Sequence, residues 1–156
     1  MTQFLKKTSL AIQICENHIR THNLEGSEVE FYLTQYLAVV LCGEMHQQIL
    51  EAIKEKAECA NDPAIKIFIP NAGSRLLRSI GKNEISRFLK HFGETVSGKF
   101  EGKLNEQQIS KYSNTVKDRH SVAHTSQGNN VTFRELKESA EIADNILKYI
   151  REALEG

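Results

Sequence analysis

The chain has 156 residues, 40% of them apolar and 26% charged, with 20 basic residues against 20 acidic. That length supports one domain with its own core, residues 1–156, while the even charge gives no whole-chain attraction for a polyanion. Nine glycines and two prolines speak against a turn-rich all-β fold, and no run approaches the ~18 apolar residues that span a membrane.

The first predicted helix covers Ser9 to Thr21, with Leu10, Ile12, Ile14 and Ile19 turned inward. Ser27-Glu28-Val29-Glu30 reads as a capping box. It opens a long periodic helix carrying Phe31, Leu33, Leu37, Val40, Leu41, Met45, Ile49 and Ile53. That helix runs to about Cys59 and stops at Asn61-Asp62-Pro63. Ala64 to Ile69 alternates briefly, but no second alternating run offers itself as a strand partner, so helix or irregular chain is expected. Two short helices follow, Arg75 to Ile80 and Glu84 to Phe92, broken at Gly81-Lys82-Asn83; Gly93 to Gly102 reads as a loop anchored by Phe100. Asn105 is a cap for a helix with Ile109, Tyr112 and Val116 inward. Thr132-Phe133-Arg134-Glu135 is a further capping box. The last helix presents Leu136, Ala140, Ala143, Ile146, Leu147 and Ile150 as one apolar stripe to about Leu154. Four substantial helices with short links predict an all-α bundle of four to six helices with an up-down core.

Charge is unevenly placed along the chain. Glu25 to Asp62 holds eight acids and two bases, whereas Ala64 to Lys103 holds eight bases and three acids. The two segments either neutralise each other side by side or leave a basic surface for a polyanion, with Arg75, Arg78, Lys82, Arg87 and Lys90 as RNA-binding candidates. Three dispersed cysteines make no disulfide framework and, with no secretory signal, suggest a reducing cytoplasm.

The most chemical segment is Arg119-His120-Ser121-Val122-Ala123-His124. Arginine offers a permanently charged fork for phosphate oxygens, and histidine titrates near neutral pH. RNA carries its own nucleophile, the 2′-hydroxyl, so its cleavage needs a base, an acid and a cation but no metal. His124 suits the proton transfer, Arg119 the phosphate, and His120 either the phosphate or the orientation of His124. On one straight helix, residues five apart point about 140° away from each other. Either the helix ends or bends within the motif, or a second copy of the chain supplies the missing group.

Elsewhere, Cys15, His18 and His22 recur at i, i+3 and i+7, residue types that suit zinc. No fourth ligand lies near, and a partly buried packing edge is the plainer expectation. His46 and His91 are expected at a surface or boundary, the alternative for His46 being a cleft shared with Glu44. No phosphate-binding glycine loop, G-x-S-x-G or H-E-x-x-H occurs.

The run from Val116 to His124, the polar turn after it, and Val131-Thr132-Phe133-Arg134-Glu135-Leu136 resemble the closing signature of HEPN domains, closest to the RiboL-PSP-HEPN branch with its RHxxAH motif. Leu41-Cys42-Gly43-Glu44 also resembles a polar patch of that family's long helix. The resemblance implies a helical domain that dimerises, with a composite site at the interface and metal-independent endoribonuclease activity, no cofactor being needed. It implies a toxin or antiviral setting, with an antitoxin or defence-system partner. Arg119 and His124 match the catalytic positions, His120 the polar position after the arginine, and Glu44 an acid near the site in some members. Some members are non-catalytic modules that bind RNA, a nucleotide or a partner protein, which is the alternative reading. Thr125 stands where the branch usually has glycine. Ser126 replaces a tyrosine typical of toxins paired with a nucleotidyltransferase antitoxin, so that pairing is not expected.

Overall fold

Seven α-helices and one 3-10 turn make up the computed structural model, which describes residues 2–125 and 131–156, with side chains described for 2–117 and 131–156. The helices are α1 (Lys6–Thr21), α2 (Glu28–Glu58), α3 (Pro63–Leu76), α4 (Lys82–Leu89), α5 (Glu94–Glu101), α6 (Glu106–Thr125) and α7 (Phe133–Glu155); Lys90–Phe92 form the 3-10 turn.

Local chemistry starts the long helices where the sequence places them. The Ser27 hydroxyl accepts from the Glu30 amide at 3.3 Å. The Glu30 carboxylate reaches past its expected target and takes the Gly26 amide at 2.6 Å. Asp62 accepts from Ala64 with Pro63 in the first turn of α3, where a missing amide costs nothing. Asn105 accepts from Gln107 and Gln108. The Thr132–Glu135 box is complete in both directions.

Helix α1 has no cap of its own. The first amides of a helix have no intrahelical partner, and here two distant carboxylates serve them. Asp144 of α7 accepts from the amides of Gln3, Phe4 and Leu5 at 2.7–3.1 Å. Glu44 of α2, itself buried, accepts from the Lys7 amide at 3.0 Å and from the Thr8 amide and hydroxyl at 2.7 Å each. These contacts bring the start of α1 to the middle of α2, so the two helices run antiparallel. Further along, Glu16 of α1 pairs with Lys137 of α7 at 2.6 Å. Helices α1, α2, α6 and α7 thus form an up-down core. Leu37, Leu41, Met45, Ile49 and Ile53 of α2 are buried with Tyr112 of α6 and the whole expected stripe of α7.

The segment α3–α5 is an insert between the second and third core helices, and it departs most from expectation. Ala64 to Ile69 is helical. Arg75 to Ile80 is not a helix, because α3 ends at Leu76 and the chain turns extended at Leu77. Two side chains hold that extended link: His46 Nε2 bonds the Leu77 carbonyl at 2.9 Å, and the Tyr112 hydroxyl donates to the Ile80 carbonyl at 2.6 Å. Gly93 to Gly102, expected as a loop, contains α5. Gly93 has φ +122°, a backbone that favours glycine and joins the 3-10 turn to α5. Helix α5 then forms because Ser97 and Phe100 are buried, so packing overrides a glycine-rich local sequence.

Helix α1 corrects another expectation. Ile19 is buried, but Leu10 and Ile14 are 58% and 59% exposed. The buried positions are Thr8, Cys15 and Ile19, and Ile12, as expected, packs partly buried against the core. Phe31 of α2 is likewise exposed rather than inward, and Val40 is half-buried.

The two carboxylates at the start of α1 predict the most sensitive polar positions. Glu44→Ala leaves two amides and a hydroxyl without a partner and is expected to cost about 2–3 kcal/mol in urea unfolding. Asp144→Ala, at a half-buried position, is expected to cost about 1–2 kcal/mol by the same measurement.

Candidate functional site

Helix α6 carries the motif. Its backbone continues without a break from Glu106 to Thr125, so the helix does not end inside Arg119–His124. Along that helix, positions 119 and 124 lie about 7.5 Å apart in rise and about 140° apart around the axis, whereas 120 and 124 are one turn apart. The side chains of Arg119, His120 and His124 lie outside the described residues. What is described around them is the seat of the helix. Tyr112 is fully buried, and burial first, then the neighbouring Cys42, pushes its phenol well above the usual range. It stays a neutral donor to Ile80. One turn on, the Thr115 hydroxyl bonds Ser139 of α7 at 2.7 Å. These buried bonds fix the rotation of α6 just before the motif begins.

Beyond the motif the chain re-enters the described structure at Val131. There Ser27, Glu30, Phe31 and Thr34 of the α2 start face Val131 and Phe133 across a cleft of about 210 Å³. The motif therefore leads to the same end of the bundle as the first turns of α2. Gln35 lies in this part of α2, buried, and its amide nitrogen has no hydrogen-bond partner among the described residues. A polar residue inside an otherwise apolar run was the only sequence signal for it.

Both oxygens of Glu44 are engaged at the start of α1, which gives this residue a structural use. His46 shares no cleft with it, since its ring is spent on Leu77. Cys15 is buried, and burial pushes its thiol up, which disfavours the thiolate a metal would need. His22 bonds the His18 carbonyl at 3.0 Å, and the two rings lie 4.4 Å apart, tilted by 37°. No group of three potential metal ligands occurs among the described residues.

The basic candidates separate into two sets. Lys82 pairs with Glu101 at 3.5 Å and Lys90 with Glu94 at 3.7 Å. Glu101 is held below the usual carboxylate range, first by the Ser86 hydroxyl and then by Lys82, with Lys90 adding less. Ser86 in turn lies 2.9 Å from Ser97, so this cluster clamps α4 to α5. By contrast, Arg75, Arg78 and Arg87 are exposed and form no ion pair among the described residues. With Lys66 and Lys99, which also form no ion pair among the described residues, they are cations of the insert available to a polyanion.

The depressed carboxyl of Glu101 has a testable sign. Its contribution to stability is present above the unfolded carboxylate pKa and is lost as pH falls through the lower folded value. Ser86→Ala removes the largest cause and is expected to move the Glu101 titration upward, read by NMR of the carboxyl carbon.

Among the described residues, no helix is long and apolar enough to cross a membrane. The chain matches the RiboL-PSP-HEPN family over residues 4–156. No curated protein and no solved structure matches it.

Proposed function

Because the chain belongs to the RiboL-PSP-HEPN family, we propose that it is a metal-independent endoribonuclease whose site is completed by a second copy of itself. The observation that carries this reading is the unbroken course of α6 through Arg119, His120 and His124. Positions 119 and 124 diverge on one helix, so an arginine and a histidine meeting at one phosphate come from two α6 helices set side by side. A two-fold axis near the motif provides that arrangement and makes the site symmetric.

The chemistry follows from RNA itself. A His124 imidazole takes the 2′-hydroxyl proton, and the freed oxygen attacks the adjacent phosphorus. The bond to the 5′-oxygen breaks, and that oxygen leaves with a proton delivered by an imidazolium. Arg119 neutralises charge on the non-bridging oxygens as the transition state forms. His120 holds the phosphate or orients His124. The products are a 2′,3′-cyclic phosphate and a 5′-hydroxyl. The whole chain acts as one domain, in the cytoplasm, within a toxin or antiviral defence role that brings an antitoxin or defence partner.

A second reading rests on Arg75, Arg78 and Arg87, exposed and without an ion pair among the described residues, whose guanidinium groups suit RNA phosphates without any cleavage. There the protein is a non-catalytic binding module.

Arg119→Ala and His124→Ala are each expected to lower cleavage of a mixed RNA panel at least ~100-fold, with the circular dichroism spectrum unchanged. Cleavage by the natural chain is expected to persist in EDTA and leave cyclic phosphate ends. Undiminished cutting by folded His124→Ala removes the catalytic assignment. Tight RNA binding with no cutting by the natural chain establishes the second reading.

A further inference from the structure

Two inward stripes meet between α2 and α6, and each carries one residue with a charged or amide end. On α2 the stripe is Gln35, Ala38, Cys42, Met45 and Ile49, spaced three and four residues apart and all buried. On α6 it is Ile109, Tyr112 and Val116, with Tyr112 fully buried and the other two packed partly buried against the core. The same spacing continues to positions 119 and 123, an arginine and an alanine. Gln35 is 9% exposed, and its amide nitrogen has no hydrogen-bond partner among the described residues. The Thr34 hydroxyl beside it in the chain donates to the Glu30 carbonyl instead. A buried carboxamide left unpaired is worse for the fold than a leucine of similar size, so a glutamine here calls for a partner.

Helix directions put Gln35 level with position 119. Phe133 at the start of α7 lines one cleft with Glu30 and Thr34, and Arg151 near its end reaches Gln48 and Glu55, so α7 runs parallel to α2. Lys103, just before α6, pairs with Glu152, and Lys111 pairs with Glu138. Helix α6 is therefore antiparallel to α7, and so to α2. Cys42 neighbours Tyr112 where α2 and α6 meet. Seven residues back along α2 lead to Gln35, and seven forward along α6 lead to position 119. Each step is about 10.5 Å and nearly two full turns, which returns to the same face.

We infer that Gln35 is a positioning residue for Arg119, its carboxamide oxygen accepting from the guanidinium across the α2–α6 contact. The two groups match in kind. A guanidinium carries five N–H donors and no acceptor, and a carboxamide turned about its last bond presents its oxygen where its nitrogen stood. A neutral acceptor orients the cation without offsetting its charge, as a carboxylate would. One edge of the fork is held against α2, and the other stays open to a phosphate. This inference deepens the ribonuclease reading and rests on it for its consequence. Arg119 acts from the α2 face of α6, while position 124, about 140° round the helix, faces away from that contact.

The test is a double-mutant cycle read in urea unfolding and in cleavage of an RNA panel. Gln35→Leu keeps the size of the side chain and removes its polar end. In the natural chain it is expected to lower kcat at least ~30-fold with KM little changed, because a misplaced cation loses the transition state more than the substrate. In the Arg119→Ala chain the carboxamide has no partner to lose. There the same substitution is expected to cost no further activity and to raise the urea midpoint. The two effects of Gln35→Leu on unfolding are expected to differ at least ~10-fold in equilibrium constant. Gln35→Glu keeps an acceptor but offsets the guanidinium charge, and is expected to fold with cleavage lowered at least ~10-fold. NMR of the Arg119 Nε–H, assigned by its loss in Arg119→Lys, decides the matter if Gln35→Leu does not fold. That proton is expected to exchange slowly with solvent in the natural chain and to shift in Gln35→Glu. Three results overturn the inference: undiminished cleavage by folded Gln35→Leu, equal unfolding effects in both backgrounds, or an Arg119 Nε–H that exchanges as fast as that of exposed Arg75. Unfolding and NMR need no RNA, which separates this inference from the reading it deepens. Coupled positions 35 and 119 in a chain that cuts no RNA sink the ribonuclease and leave the bond standing; cleavage by a chain in which the two are uncoupled does the reverse.

Discussion

Two carboxylates at the start of α1 hold the bundle in register. A helix beginning with orphan amides near a core must find acceptors, and water is a poor option at a buried position. Asp144 and Glu44 come from α7 and α2, so the six residues from Gln3 to Thr8, the approach to α1 and its first turn, tie three of the four core helices together. Their negative charge also sits at the positive end of the α1 dipole, which makes these bonds stronger than neutral ones. With α1 placed this way, Thr8, Cys15 and Ile19 face inward, and Leu10 and Ile14 are left on the outer edge.

The same logic recurs at the insert. The chain between α3 and α4 presents carbonyls at Leu77 and Ile80 that no helix satisfies. His46 reaches one and Tyr112 the other. Because Tyr112 lies on α6 below the motif, the bond to Ile80 links the insert to the rotation of the helix that carries Arg119 and His124. The basic insert and the motif are therefore mechanically joined, and Arg75, Arg78 and Arg87 form no ion pair among the described residues. Lys82 and Lys90 are drawn into the clamp around Glu101 and Glu94, so a cluster that looks uniform in sequence divides by what each cation meets.

Glu44 illustrates how a polar residue in a family-like patch is read differently once neighbours are known. On the sequence it is an acid within an apolar run, close to Cys42 and Gly43, which suits a site. In the fold its two oxygens take three donors from α1, which ties it to the start of that helix. The apolar stripe of α2 reverses the lesson. Phe31 and Val40 belong to the expected core pattern, yet Phe31 is exposed and Val40 only half-buried, and Tyr32, Tyr36 and Val39 stand exposed on the same helix.

The start of every long helix except α1 was legible from its own residues, as were the stripe of α7, the buried residues Leu37 to Ile53 of α2, and the placing of Arg119 and His124 on a helix. These depend on caps and on hydrophobic period, which act over a few neighbouring residues. Three things were settled only by tertiary contact: the helix at Glu94–Glu101, the extended link at Leu77–Gly81, and the structural use of Glu44, Asp144, His46 and Tyr112. In each case the deciding partner is far away in the chain, and no local pattern records which distant acceptor a buried amide or carbonyl will find.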